Sequence, residues 1–96
     1  MTLNSKQKRF LRALAHKLKP VVIVGNAGLT PTVLDEIDNS IEHHELIKIR
    51  INASDRTARQ KMIDEISKHT YSQPIISIGH IAAFYRASQQ PAIKLP

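Results

Sequence analysis

The spacing of apolar positions divides the chain into alternating helical and extended stretches. Over residues 4–18, Leu3, Phe10, Leu11, Leu14, Ala15 and Leu18 fall within an arc of about 140° at helical pitch, which predicts an amphipathic helix. Asn4 or Ser5 can cap it, and Pro20 stops it. Lys8, Arg9, Arg12 and His16 lie on the opposite arc, with Lys6 and Lys17 on a flank. Residues 21–24 are apolar without interruption, which predicts a strand covered on both faces and therefore central. Gly25, Asn26, Ala27 and Gly28 make a turn, after which Thr30 caps a second helix with Pro31 in its first turn. Val33, Leu34, Ile37 and Ile41 form that helix's apolar stripe, and it ends near His43 or His44.

The second half repeats this alternation of elements. "ELIKIRIN" places Ile47, Ile49 and Ile51 on one face and Lys48 and Arg50 on the other, the pattern of a half-buried strand. "SDRTARQKMIDEISKHT" offers Ser54 or Asp55 as a cap and sets Ala58, Met62, Ile63 and Ile66 along one side of a third helix. "QPIISIG" is a third strand, with "AAFYRAS" close enough beyond Gly79 to be its antiparallel partner. Residues 87–96, with two prolines and no periodicity, read as a tail. The prediction is a single compact α/β domain over residues 1–96, its core at about 3–86. Its order is α-β-α-β-α-β-β, with a four-stranded mixed sheet, three helices and right-handed crossovers.

Composition narrows the chemistry. The aromatics are Phe10, Tyr71, Phe84 and Tyr85, so the core is aliphatic. Phe10 belongs to the buried stripe, leaving Tyr85 or Phe84 as the aromatics that could face solvent. Cysteine is absent, and no apolar run is long enough for a membrane span or a signal peptide, so a cytoplasmic protein is expected. The net charge of +6 points to a polyanionic partner. The charge is also segregated: residues 1–34 carry six Lys or Arg and no acid, whereas residues 35–47 carry five acids and no Lys or Arg.

Catalytic and metal signatures are missing. His43 and His44 are adjacent and diverge on a helix, His16, His69 and His80 lie on separate elements, and no HxxH spacing occurs. The acid pairs Asp35-Glu36 and Asp64-Glu65 fall on helix surfaces. No catalytic residue, metal, cofactor or small-molecule substrate is expected. The "GNAG" turn has neither the ending of a phosphate-binding loop nor a dinucleotide fingerprint. It nevertheless combines small side chains, exposed amides and a following helix N-terminus, which together suit a phosphate. A GxxG loop clamps the nucleic-acid backbone in KH domains. Lys17 and Lys19 precede it, and the acid-free basic face of the first helix adds Lys6, Arg9 and Arg12.

The pieces "LRALAHKLKPVV", "VGNAGLT", "HELIKI" and "SIGHIAAFYR" occur in the order and spacing of the CRM domain, and the chain resembles the stand-alone bacterial, YhbY-like members of that family over residues 3–86. The resemblance implies an RNA-binding domain whose GxxG loop touches RNA. Single-domain bacterial members are associated with precursors of the large ribosomal subunit, and multi-copy plant relatives with intron splicing. Carried over, the contact residues are Gly25, Asn26, Ala27 and Gly28 with the helix 1 cations, and Arg86, which closes the last motif, is a further expected RNA contact. Many members hold a Lys or Arg inside the loop; Asn26 and Ala27 are uncharged here, so ionic attraction has to come from the neighbours. The expected function is RNA binding during large-subunit assembly. The alternative is a protein-interaction module docking a basic partner through Asp35, Glu36, Asp38 and Glu42 of helix 2.

Overall fold

The structure, a computed structural model, describes residues 2–96. Its elements follow the order α1 (Ser5–His16), β1 (Pro20–Val24), α2 (Pro31–His44), β2 (Leu46–Ile51), α3 (Arg56–Thr70), β3 (Gln73–Ile78) and β4 (Ile81–Tyr85). The caps explain the boundaries. The Asn4 side chain accepts from the Gln7 amide while Gln7 Oε1 accepts from the Asn4 amide, a reciprocal capping box. Thr30 and Asp55 cap α2 and α3 in the same sense, each taking the amide three residues on.

The four strands form one mixed sheet in the order β1-β2-β4-β3, with β1 and β2 parallel and the other two pairs antiparallel. One face is dry. Val22, Val24, Ile47, Ile49, Ile51, Ala82 and Phe84 meet Ile37 and Ile41 of α2 and Ile63 and Ile66 of α3, all buried. The other face carries α1, which buries Leu11 and Ala15 against Leu46, Ala83 and Tyr85. A helix of twelve residues spans about 18 Å, and α1 packs on β2 and β3, covering only the end of the sheet where those strands begin.

This arrangement overturns three expectations. β1 is an edge strand and not a central one, and Val21 and Ile23, on the face that carries α1, are 48% and 62% exposed because α1 packs over β2 and β3 instead. The uninterrupted apolar run therefore marks an open surface, not a strand covered twice. Phe10 stands at the margin of the α1 contact and is exposed, as is Leu18. Phe84 and Tyr85 are both buried, because β4 lies between β2 and β3 and is covered on both faces. Tyr71 is the most exposed aromatic, held at a left-handed φ of 54° as the cap of α3.

A single residue, Glu45, joins α2 to β2 at φ 64°, and its side chain is buried. Its carboxylate accepts from the amides of Ser88 (2.8 Å), Ala92 (2.9 Å) and Ile93 (2.9 Å). These bonds draw the C-terminal segment back over the α1 side, where Ile93 and Leu95 join the smaller core. Residues 87–96 thus lack regular structure, as expected of a tail, but are docked. No helix among the described residues is long and apolar enough to cross a membrane.

Burial pushes the Glu45 carboxyl up, but the three amide bonds outweigh it and hold the group below its ordinary value. A depressed folded pKa gives stability that is complete above the ordinary value of 4.5 and is lost as pH falls through the lower folded value. Glu45→Gly, which tolerates the backbone and deletes the acceptor, is expected to cost about 2 kcal/mol at pH 7 and less at pH 3. Thermal unfolding of both proteins across pH checks this; an equal Tm difference at both pH values contradicts it.

Candidate nucleic-acid interface

The GNAG turn joins the end of β1 to α2 and projects from the rim of the sheet. Asn26 and Ala27 are exposed, and Gly25 and Gly28 are half-buried. The Gly28 amide donates to the Gly25 carbonyl at 3.0 Å and closes the turn. That amide is consumed, as is the Val33 amide by Thr30 Oγ1. The expectation of open donors throughout residues 25–28 therefore narrows to the tip: the amides of Asn26 and Ala27 have no partner among the described residues.

The two glycines are there for different reasons. Gly28 adopts φ 74°, a left-handed conformation that L side chains occupy at a cost. Gly25 has no such backbone, and a Cβ built on it would meet no heavy atom within 4 Å. Nothing in the fold requires glycine at position 25.

The cations arrange themselves at both ends of β1. Lys6, Arg9 and Arg12 are exposed on α1, and Lys17 and Lys19 are exposed on the segment entering the strand. Lys17 and Lys19 lie at the end where β1 begins, whereas the GNAG turn lies where it finishes, about 15 Å away along five residues. An open groove of about 580 Å³ starts that path, with Leu14, Leu18, Val21 and Leu46 on its floor and Lys17, Lys19 and Lys48 around it. Arg50, paired across from Ile23, and Arg56 and Arg59 at the start of α3 supply charge nearer the turn. Sequence reasoning did not select these three. The alternation of "ELIKIRIN" put Arg50 on the wet face, but only strand pairing shows that it lies beside β1.

Arg86 sits apart from this set. Its guanidinium donates to Asp38 and Glu42 at 2.8 Å each and to the Thr70 carbonyl at 2.7 Å, tying β4 to α2 and α3. Among the described residues these are the only ion pairs. The expected contact residue is committed inside the fold.

A family model described as the CRS1 / YhbY (CRM) domain matches residues 3–86. The chain belongs to the CRS1/YhbY domain family. A protein of Haemophilus influenzae named "RNA-binding protein" is 47% identical over 99% of this chain and 96% of its own length. A Bacillus subtilis relative, "Probable RNA-binding protein YqeI", is 33% identical over 98% of this chain and 99% of its own. The solution structure of SAV1595 from Staphylococcus aureus superposes with a TM-score of 0.85 at 32% identity, covering 99% of this chain and all of that one. The match to this structure extends through the segment after β4, so the docked tail lies within the shared fold.

The histidines of this CRM domain remain apart. His43 Nδ1 donates to the Asn39 carbonyl at 2.8 Å, and His80 Nδ1 to the Ile51 carbonyl at 3.2 Å, each a local backbone tie. No group of three His, Asp or Glu side chains close enough to hold a metal occurs among the described residues. Gly28→Ala forces a Cβ into the left-handed region and is expected to cost about 1 kcal/mol, while Gly25→Ala leaves stability unchanged. Urea unfolding of the two variants distinguishes them, and equal losses would refute the separate roles given to the glycines.

Proposed function

We propose that this CRM-domain chain binds RNA through the GNAG turn and the cations beside β1, and that it acts on precursors of the large ribosomal subunit. The observation that carries the reading is Gly25: a glycine at an exposed turn with neither a backbone reason nor a packing reason to be one. A sugar-phosphate strand lying against the turn supplies the reason. The tip amides donate to a phosphate, and Lys17, Lys19, Arg50 and the α1 cations neutralise its neighbours. Relatives named as RNA-binding proteins over nearly their whole length support the ligand class. The resemblance to stand-alone bacterial members supports the ribosomal assignment. No enzymatic step is assigned to any residue.

The rival reading, a basic protein docking on the acids of α2, is weaker for a specific reason. Asp38 and Glu42 are already paired with Arg86, and Glu45 is buried, which leaves Asp35 and Glu36 as the exposed unpaired acids of that run among the described residues.

If four to six phosphates are neutralised, log K for a single strand falls with log salt at a slope of about −3 to −4. Fluorescence anisotropy across salt measures it, and a flat response refutes the ionic model. Arg9→Glu with Arg12→Glu is expected to weaken all RNAs alike and leave the Tm unchanged, since both side chains are exposed. Gly25→Val is expected to fold normally and bind about tenfold more weakly, because its side chain occupies the space the strand needs. Crosslinking in cells followed by sequencing is expected to recover precursor large-subunit RNA; reads scattered over messenger RNAs would remove the ribosomal assignment.

A further inference from the structure

We propose that the uncovered half of the sheet is a platform for the bases of a single RNA strand whose backbone the GNAG turn holds. Strand pairing aligns Ile23 with Arg50, Arg50 with Ile81, and Ile81 with Ile78, so one row of side chains crosses all four strands. The row faces away from α2 and α3, because its members alternate with Val22, Val24, Ile49, Ile51 and Ala82 of the dry core. It also lies beyond the reach of α1. Ile23 and Ile78 are 62% and 65% exposed, well above what a strand residue in a covered sheet shows. Arg50 stands between them with Nε donating to Asn52 Oδ1 at 3.3 Å, and it has no acidic partner among the described residues.

A planar cation set among branched aliphatic side chains matches the face of a nucleobase. Guanidinium groups stack on bases, and isoleucines remove the apolar ring faces from water. Ile23 is two residues from Gly25, so a strand with one phosphate at the turn can lay its next bases along this row. The groove beside Val21, walled by Lys17, Lys19 and Lys48, continues in the direction of α1.

Charge selects this occupant over others. No acid lies on the uncovered part of this face: the strand residues there are Val21, Ile23, Lys48, Arg50, Ile78 and Ile81. A second copy would set cation against cation across a two-fold axis. A duplex hides its base faces and offers the platform nothing. The row is poor in hydrogen-bonding groups that could read base edges, so preference for single strands comes with little sequence selectivity.

The inference rests on the RNA reading above, and the test separates the two. Three labelled probes are compared: a twelve-nucleotide single-stranded RNA, the same strand annealed as a duplex, and a ribose-phosphate strand without bases. The single strand is expected to bind about tenfold tighter than the baseless strand. Ile23→Thr and Ile78→Thr are each expected to reduce that preference several-fold, with unchanged Tm and little change on the baseless strand, whereas Arg50→Gln, which also removes a phosphate contact, is expected to weaken both strands and the base-bearing one more. The methyl resonances of Ile23 and Ile78 are expected to move upfield under base ring currents. Equal binding of all three probes by the unaltered protein, or methyl resonances that stay in place, overturns the platform; Gly25→Val weakening every probe then keeps the loop reading alive. No binding of any probe overturns both. A dimer dissociated by Ile78→Thr, or a polyglutamate peptide that moves the same methyls, overturns the platform in favour of a second copy or an acidic peptide.

Discussion

The packing of α2 and α3 onto one face of the sheet is the interaction on which everything else depends. Eleven buried side chains, from Val22 to Phe84, form that contact, and each fully buried Val, Leu, Ile or Phe contributes about 1.5–3 kcal/mol. The two crossover helices are both drawn to this side because right-handed β-α-β connections in the order β1-β2-β4-β3 leave them no other. The consequence is asymmetry. One face of the sheet is sealed along its whole length, and the other has only α1 and the C-terminal segment to cover it.

The smaller core beneath α1 is held by a different kind of contact. Glu45 turns the chain in one residue and then uses its carboxylate to gather three amides from residues 88–93. Hydrogen bonding to a buried acid keeps a segment without helix or strand in place, and it does so over the end of the sheet where α1 already lies. Burial, and then the charge of Glu45, push the neighbouring Tyr85 phenol up, so that side chain stays neutral and apolar beneath the helix. The uncovered remainder is the end bearing the GNAG turn, where Ile23, Arg50 and Ile78 are exposed on the sheet.

Charge follows the same division. The acids of α2 look like an independent patch in the sequence, but Arg86 crosses from β4 to neutralise two of them. Among the described residues every Lys and Arg other than Arg86 lacks an ion-pair partner, so the excess of positive charge stays unpaired.

The amino-acid order by itself determined the seven elements, their caps, the parallel-plus-hairpin arrangement and the GNAG turn, because periodicity and capping chemistry act over a few residues. The motifs spread over residues 3–86 also sufficed to suggest the family. Only the tertiary structure decided that β1 is an edge, that Phe10 is exposed while Phe84 and Tyr85 are buried, that Arg86 is committed, and that Gly28, not Gly25, has the left-handed backbone. Each of these depends on which segments meet at long range. An apolar run such as residues 21–24 has the same local pattern whether a helix covers it or not, and α1 is too short to cover them all.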